Sequence, residues 1–586
     1  MHDAAVVERV ASDKGADPPR RVDREAYTAL GLEAQRGRLV AACPALRSRR
    51  GRSPQSGLTV RFGVAYGALV PTDSAPDPER ASGPPGEVET LAAIDLGSHS
   101  FHMIVTRLEG GQLHVRDRLR ERVSLAAGLD SDRRLRPEAS ERALECLRRF
   151  GQRVNHLPRS CVRAVGTNTL RQARNGADFL ARAEDALGHP IEVISGREEA
   201  RLIYLGVAQT NPANQGRRLV LDIGGGSTEC ILGEGFEIVD ADSLFMGCVS
   251  YSTRFFGDGV LDERRFRQAE VAAELELQPI ARGYRRLGWK RVLGCSGTIH
   301  SIAGILKENG WCDEGVSAQG LRRLRRALVE CGSVERLALP GLSEDRRPVI
   351  AGGVAILVAL FEDLGLQHLA LSPGALREGA LYDLLGRIHH EDVRERTIGW
   401  FQEHYRVDVE HVARVEKTAL SLLSQATLDW KPQDHEHARQ ELRWASRLFE
   451  IGLAINHTGY HKHGAYLVEN SYMAGFSREE QQTLAAMIHT SRRKVHREVL
   501  DAVPAARRED VTMLAVLFRL AVQLNRSRDA DLPRFVLRVK GEHRLRLAFP
   551  AGWLAERPLT LASLEEEARY LASFGYSLEW RELDDG

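Results

Sequence analysis

The chain has 586 residues, 43% of them hydrophobic and 27% charged, so more than one globular domain is expected. Lys and Arg total 81 against 80 Asp and Glu, and a formal charge of +1 argues against nucleic acid as a partner. No apolar run is long enough to span a bilayer, and the N-terminus lacks a signal-peptide pattern. We therefore expect a cytoplasmic protein, allowing for peripheral attachment at the inner membrane.

The N-terminal part of the chain has an unusual composition. Nine of the 22 prolines precede residue 90, with Arg, Ser, Gly and Ala between them. This composition predicts a disordered extension over residues 1–88. Further along, none of the eight cysteines forms a C-x-x-C pair, so reduced and mostly buried thiols are expected.

From residue 91 the pattern becomes α/β, with apolar strands such as "LAAIDL" and "RLVLDIG" alternating with helical stretches such as "EASERALECLRRFGQRV". After about residue 390 the pattern turns helical. The C-terminal stretch "RFVLRVKGEHRLRLAF" alternates at period two and predicts a hairpin, followed by one helix. These changes divide the chain into 1–88, 90–202, 203–388, 389–510 and 511–586.

One short motif occurs twice. "IDLGSHSF" at 94–101 corresponds to "LDIGGGST" at 221–228, and each copy lies between two apolar strands. Such a duplication predicts two similar units that pack around a pseudo-twofold axis with a cleft between them.

The paired motifs have the composition of anion-binding turns. Glycine lets backbone N–H groups approach an anion, Ser and Thr hydroxyls add donors, and an aspartate at the strand end suits Mg²⁺ or its waters. Two ordinary hairpin turns are the alternative. Two further loops, at 293–306 and 371–385, place backbone amides at helix N-termini and are either anion sites or plain helix starts. The predicted phosphate-binding residues in these turns are Gly97, Ser98, His99, Ser100, Gly224, Gly225, Gly226, Ser227, Thr228, Ser296 and Gly297.

A carboxylate near these turns is a candidate general base. In "EVISGREEARL", Ser195 is a good N-cap and Glu198 would complete a capping box with it. Glu199 has no such structural role and lies in the first turn of the helix, where the dipole favours its ionised form. Beside two phosphate-binding turns, it could activate a water.

Seven motifs together resemble the exopolyphosphatase and guanosine pentaphosphate phosphatase family of bacterial phosphoanhydride hydrolases. The resemblance runs from about residue 91 to the end. The motifs are "AAIDLGSHSFHMIV", "GTNTLRQARN", "VISGREEARLIYLGV", "LVLDIGGGSTE", "MGCVS", "GCSGTIHSIA" and "LSPGALREG".

The resemblance implies an actin-like, sugar-kinase-like fold of duplicated ribonuclease-H-like domains, followed by a helical HD-like domain and a small α+β domain. It also implies Mg²⁺-assisted hydrolysis of a terminal phosphoanhydride. Under this resemblance Glu199 is the general base and Arg171 a phosphate contact, and the metal or its waters are bound by Asp95, Asp222 and Glu229.

Two positions depart from the family pattern. The family usually reads "GSNSFH", and His99 stands at the Asn position here, which bears on rate and pH profile. In the HD-like domain Phe449 precedes Glu450, and Phe cannot bind a metal. A second metal hydrolase is therefore not expected there, and His457, His461 and His463 are interpreted as packing or surface residues.

The branch suggested by the resemblance is exopolyphosphatase, acting as a homodimer on inorganic polyphosphate. A basic run at 489–499 is a candidate polyphosphate track, formed by Arg492, Arg493, Lys494 and Arg497, and 321–328 is a second basic run. Either run could instead be a solvated helix face. The alternative functions are guanosine pentaphosphate 5′-phosphatase, an actin-like kinase, and a non-catalytic polyphosphate-binding module.

Overall fold

The structure is a computed structural model that describes residues 90–109, 112–211, 216–388, 392–427, 430–528, 532–541 and 543–583. The predicted extension at 1–88 lies outside the described residues. Within the described ranges, no helix combines the length and apolarity needed to cross a bilayer. The seven cysteines in these ranges are free thiols, and five of them are buried, as the sequence predicts.

The first lobe is a five-stranded sheet with helices against it. Its strands are β1 (Thr90–Leu96), β2 (Ser100–Glu109), β3 (Gln112–Arg122), β4 (Val162–Gly166) and β5 (Ile191–Val193), and its helices are α1 (Pro137–Val154), α2 (Asn168–Gln172) and α3 (Gly176–Leu187). The strand order is β3-β2-β1-β4-β5. Helix α1 confirms the predicted helix, because Ala143, Leu147, Phe150 and Val154 recur at helical spacing and are buried. At the sheet edge, β3 exposes the arginines at 116, 118, 120 and 122.

The second lobe repeats this topology. It comprises α4 (Gly196–Thr210), β6 (Arg218–Ile223), β7 (Thr228–Glu234), β8 (Glu237–Leu244), α5 (Cys248–Phe256), α6 (Glu263–Leu287), β9 (Arg291–Gly294), α7 (Gly297–Glu308), β10 (Val316–Ser317), α8 (Ala318–Cys331), α9 (Ile350–Leu364), β11 (His368–Leu371) and α10 (Leu376–Ile388). Its strand order is β10-β11-β9-β6-β7-β8. Read from β8, the order β8-β7-β6-β9-β11 matches β3-β2-β1-β4-β5, and strand directions also agree.

The strand registers confirm the duplication predicted from the motifs. Asp95 on β1 lies opposite His102 on β2, and Asp222 on β6 lies opposite Glu229 on β7. The two turns therefore leave equivalent strands at equivalent positions.

Each lobe is completed by a helix that follows the other lobe's sheet in the chain. Helix α4 packs Ile203 and Val207 against Val220 and Ile231 of the second sheet. Helix α10 packs Ala380 and Leu384 against Leu91 and Ala93 of the first sheet. The boundary placed at 202/203 falls inside α4, so it does not separate two independently packed units.

The remainder is mainly helical. Its elements are α11 (Val393–His404), α12 (Val409–Ala426), α13 (His435–Leu448), α14 (Tyr460–Asn470), α15 (Arg478–Thr490), α16 (Arg497–Asp501), α17 (Arg508–Leu524), β12 (Val536–Lys540), β13 (Arg544–Phe549), α18 (Pro558–Ser573) and β14 (Ser577–Glu582). The predicted hairpin is β12–β13, and β14, which the sequence analysis missed, pairs parallel to β13. One apolar core runs from Ile398 to Leu578. The boundary placed at 510/511 falls inside α17 and does not divide this core.

Candidate active site

Both repeated turns face a common cleft between the lobes, at the point where the turns come into contact. A Cβ on Gly225 would lie 2.9 Å from the Cβ of Ser98, which is why a residue without a side chain is needed there. Thr169 fixes the first turn by donating a hydrogen bond from its hydroxyl to the Ser98 hydroxyl, at 2.8 Å. The cleft is lined by the predicted residues Asp95, Gly97, Ser98, His99, Ser100, Glu199, Asp222, Gly224, Gly225, Ser227, Ser296 and Gly297.

Four of the residues predicted to bind phosphate or metal are not part of the cleft lining: Arg171, Gly226, Thr228 and Glu229. The Thr228 hydroxyl donates to the Met246 carbonyl at 2.6 Å, and the Glu229 carboxylate accepts from the Ser243 hydroxyl at 2.8 Å. Thr228 and Glu229 therefore tie β7 to β8 and to the segment that follows it.

Glu199 reaches the cleft from the first turn of α4. The side chain is mostly buried, and its Oε2 accepts a hydrogen bond from Arg171 at 2.8 Å. Arg171 also donates to the Ile194 carbonyl at 2.8 Å. Arg171 therefore orients the carboxylate of Glu199, and the phosphate contact that the family resemblance implies for Arg171 stays a prediction.

The predicted capping box at Ser195 is only half formed. The Ser195 hydroxyl accepts from the Glu198 backbone N–H at 3.2 Å, as expected. The Glu198 carboxylate instead accepts from Arg201, at 2.8 and 2.6 Å, and from the backbone N–H of Gly475 at 3.1 Å. A buried guanidinium is a stronger partner than one backbone amide, and it draws the carboxylate away from the helix end.

Several buried carboxyl groups lie in or beside the cleft, and a bound cation would stabilise their ionised forms. Burial, followed by the charge of Glu199, raises the pKa of Asp95 to about 8. Burial raises the pKa of Asp222 to about 6, against the effect of a hydrogen bond from Cys295. Burial together with Glu199 and Asp222 raises the pKa of Glu229 well above its ordinary range. Crowded carboxylates of this kind disfavour one another's ionisation until a cation joins them.

Asp95 and Asp222 suit a Mg²⁺ ion that is held largely by other ligands. Asp95 Oδ1 is buried with no hydrogen-bond partner in the part of the chain that the structure describes, and both aspartates line the cleft. Among the described residues, no three His, Cys, Asp or Glu side chains converge closely enough to hold a metal by themselves. That arrangement is compatible with Mg²⁺, which keeps several waters and binds through one or two carboxylates plus substrate phosphates.

His99 is a neutral residue in this setting. Burial, reinforced by Arg346, Arg122 and Arg120, lowers its pKa to about 4. Both ring nitrogens are buried and lack a hydrogen-bond partner within the described part of the chain. The imidazole is therefore available to a ligand as one donor and one acceptor.

Two arginines of the cleft escaped the sequence analysis. Arg346 is 7% exposed and lines the cleft, and no hydrogen bond or ion pair engages its guanidinium among the described residues. Arg377 lines the cleft from helix α10 and donates a hydrogen bond to His102 Nδ1 at 2.9 Å. Arg377 lies in the first turn of α10, within the 371–385 stretch that the sequence left as either an anion site or a plain helix start, whereas no motif marked Arg346.

The predicted helix-start loop at 293–306 also reaches the cleft. The Ser296 hydroxyl accepts from Ile299 N–H at 3.3 Å, as a helix cap, and from Ile223 N–H at 3.1 Å. Ser296 thus joins α7 to the end of β6, just before the Gly224 turn.

The basic run at 489–499 does not lie on one helix. Helix α15 ends at Thr490, and Arg493 has φ +62° in the following turn. The Arg492 guanidinium lies 5.4 Å from the centre of the Tyr460 ring. Arg497 lies over Phe574 and donates to its carbonyl at 3.3 Å, so this arginine has a structural partner.

Other polar clusters have structural partners. In the run at 321–328, Arg325 pairs with Glu263 and Glu270. In the HD-like domain the Glu450 carboxylate pairs with Arg528 and lies 3.7 Å from His411. Arg528 thus supplies the positive charge beside Glu450.

Two lobes with one topology, and a cleft between them lined by both repeated turns and the largely buried Glu199 carboxylate, have the architecture of the actin-like fold class. Comparison with known families agrees with this class. The Ppx/GppA phosphatase family matches residues 104–388, and Ppx/GppA phosphatase domain III matches residues 393–568. The chain belongs to the Ppx/GppA phosphatase family.

Named relatives match most of the chain over nearly their own full length. A guanosine-5′-triphosphate,3′-diphosphate pyrophosphatase of Aeromonas hydrophila is 41% identical over 486 residues, which is 83% of this chain and 97% of that protein. The protein of the same name from Pseudoalteromonas translucida is 40% identical over 488 residues, with the same coverage. Among solved structures, an exopolyphosphatase from Cytophaga hutchinsonii is 26% identical, with TM-score 0.47, over 51% of this chain and 98% of that one.

Proposed function

We propose that this phosphatase hydrolyses the terminal 5′ phosphoanhydride of guanosine 5′-triphosphate 3′-diphosphate, releasing orthophosphate and guanosine tetraphosphate. The observation that carries the proposal is that both repeated turns and the Glu199 carboxylate line one cleft. The names of the full-length relatives support this substrate over polyphosphate, which the sequence analysis favoured.

The cleft residues divide the chemical work. Backbone amides of the turns at 97–100 and 224–227 would hold the terminal phosphoryl group, and Arg346 would neutralise phosphate charge. Glu199 has one oxygen fixed by Arg171, so its other oxygen is available to take a proton from the attacking water. Asp95 and Asp222 would hold Mg²⁺, which when bound neutralises charge on the phosphate oxygens. Positioning and charge neutralisation thereby lower the barrier.

The decisive assay compares two substrates on one preparation. Phosphate release is measured from guanosine pentaphosphate and from long-chain polyphosphate at equal concentrations of hydrolysable ends. The proposal expects the higher kcat/KM on the nucleotide, with guanosine tetraphosphate as product. A higher value on polyphosphate would reverse the assignment, and transfer of phosphate to a sugar or acid acceptor would indicate a kinase. Binding of either compound without turnover would indicate a regulatory module.

Polyphosphate hydrolysis is the second candidate, and the turn after α15 favours it. Arg493 and Lys494 are exposed there, and no acidic side chain of the described residues pairs with them. Free cations of this kind suit a polyanion, whose binding would weaken steeply with salt. Replacing both by Gln should then raise KM for long-chain polyphosphate while leaving KM for the nucleotide unchanged. An equal change in KM for both substrates would show that Arg493 and Lys494 do not form a polyphosphate-binding track.

A further inference from the structure

A buried ion network lies directly behind the candidate base. Its members are three arginines and three acids: Arg163, Arg201, Arg387, Glu192, Glu198 and Asp383. The Arg201 guanidinium forms a two-pronged contact with Glu198, at 2.8 and 2.6 Å, and also reaches Asp383 at 2.5 Å. Arg163 pairs with Asp383 and Glu192. Charges of both signs are therefore balanced, and the central members Arg163, Arg201, Glu198 and Asp383 are almost fully buried.

The helical domain inserts one glycine into this network. The N–H of Gly475 donates to Glu198 Oε2 at 3.1 Å, and its carbonyl accepts from Arg387 at 3.1 Å. Gly475 has φ +86°, and a Cβ there would lie 2.4 Å from Val393 Cγ1. The backbone of the 473–476 segment can make both contacts only with glycine at this position.

The Gly475 contact acts on the residue next to the base. Glu198 and Glu199 are consecutive in the first turn of α4, about 100° apart around the helix axis. Glu198 faces the network and the helical domain, whereas Glu199 faces the cleft. Any rotation or shift of this helix turn that follows loss of the Gly475 contact must also move Glu199.

We propose that docking of the 473–476 segment on Glu198 positions Glu199, which makes the rate of hydrolysis depend on the helical domain. This inference rests on the proposed function, in which Glu199 takes the proton of the attacking water. No described residue of the helical domain lines the cleft, so its effect passes through α4. Gly475 and Glu198 are therefore positioning residues, and the substrate need not touch either of them.

The test compares two glycine variants of the full chain. Gly475→Ala should lower kcat about tenfold, because displacements of an ångström at a reacting group are costly, with KM within about twofold of wild type. The matched control is Gly459→Ala, which introduces similar backbone strain at φ +75° in the same domain, with no atom within 4 Å of the new Cβ. The control should lower the Tm and leave kcat unchanged. Equal kcat in the two variants would overturn the inference.

A double-mutant cycle separates positioning from general damage. In a Glu199→Gln background, Gly475→Ala should have no further effect on the residual rate, since there is no base left to misplace. An undiminished tenfold effect in that background would show that the contact acts on something other than Glu199. If Gly475→Ala does not fold, Glu198→Asp, which shortens the acceptor by one methylene, should give the same loss of kcat. A wild-type kcat in Glu198→Asp would then overturn the inference.

Failure of the inference differs from failure of the proposed function. Wild-type protein that hydrolyses neither substrate, or undiminished turnover by Glu199→Gln, would remove the function itself. Active wild type with unaffected Gly475→Ala and Glu198→Asp would remove only the positioning role.

Discussion

Two adjoining charged regions differ in how completely their polar groups are paired. In the network behind α4, every arginine meets a carboxylate. Within the described ranges, Asp95 Oδ1, both ring nitrogens of His99 and the Ser100 hydroxyl are buried in the cleft without a hydrogen-bond partner, and Arg346 forms no ion pair within 4 Å. Because unpaired burial is costly, the cleft is the region built for a ligand and the network is the region built to hold the fold.

Substitution of the two consecutive glutamates, Glu198 and Glu199, should give the largest difference in kcat between the two regions. Glu199→Gln is expected to lower kcat by about 10³, the range for loss of a general base, with little change in the Tm. Glu198→Gln should mainly lower the Tm, because it removes a charge from the balanced network, and the loss of kcat through its positioning role should stay within about tenfold. Phosphate-release kinetics and thermal unfolding on the two variants check this contrast. The reverse pattern would exchange their roles.

The same substitution should have opposite consequences in the two regions. Arg163 is 2% exposed and paired, so Arg163→Met should cost about 3–5 kcal/mol in free energy of unfolding. Arg346 is 7% exposed and unpaired, so Arg346→Met should leave that free energy unchanged or increase it. Arg346→Met should also raise KM about tenfold through one lost charge-assisted contact. Denaturant titration and steady-state kinetics measure the two quantities, and equal destabilisation by both variants would contradict the distinction.

Acid should weaken the paired region selectively. Although burial alone would raise it, the guanidinium groups of Arg163 and Arg387 hold the pKa of Glu192 at about 2, against 4.5 ordinarily. A folded-state pKa below the unfolded value means that this group stabilises the fold above pH 4.5 and that the stabilisation is lost between about pH 4.5 and 2. Thermal unfolding across that range should show a falling Tm, and Glu192→Gln should flatten the fall. A slope that is unchanged in Glu192→Gln would locate the acid sensitivity elsewhere.

The smallest effect is expected at His99. Its pKa of about 4 keeps the imidazole neutral at physiological pH, like the Asn that the family usually carries there. His99→Asn should therefore change kcat/KM by less than about tenfold, because it alters or removes only one neutral hydrogen bond. The pH–rate profile between pH 6 and 9 should stay unchanged. A profile that loses an ionisation in that range on substitution would show that His99 titrates during catalysis.

Local sequence patterns predicted much of the fold because the same turn motif occurs twice between apolar strands. Two Asp-Gly-Ser turns between apolar strands predicted the duplication, and the sheet orders and the Asp95 and Asp222 registers confirm it. Strand β14 escaped because its parallel partner β13 is separated from it by α18, and the alternation of a short exposed strand is weak.

The parts of the site that escaped prediction depend on long-range contacts. Arg346 lies in a loop without a motif and reaches the cleft only through the folding of the second lobe. Arg171 meets Glu199, and Glu198 meets Gly475 across 277 positions, so local spacing could not assign their partners. The capping-box expectation failed for the same reason, because a distant arginine competed for the carboxylate.

The arginines along strand β3 have a consequence for association between copies. The outer edge of a sheet can recruit a strand from another molecule, and charged side chains discourage such recruitment. Two β3 strands laid side by side would bring the guanidinium groups at 116, 118, 120 and 122 of each copy close together. Charged side chains on this edge work against strand addition by a second copy, and the pairs of Arg116 with Glu109 at 2.7 Å and of Arg120 with Asp345 at 3.3 Å hold two of these guanidinium groups in place there.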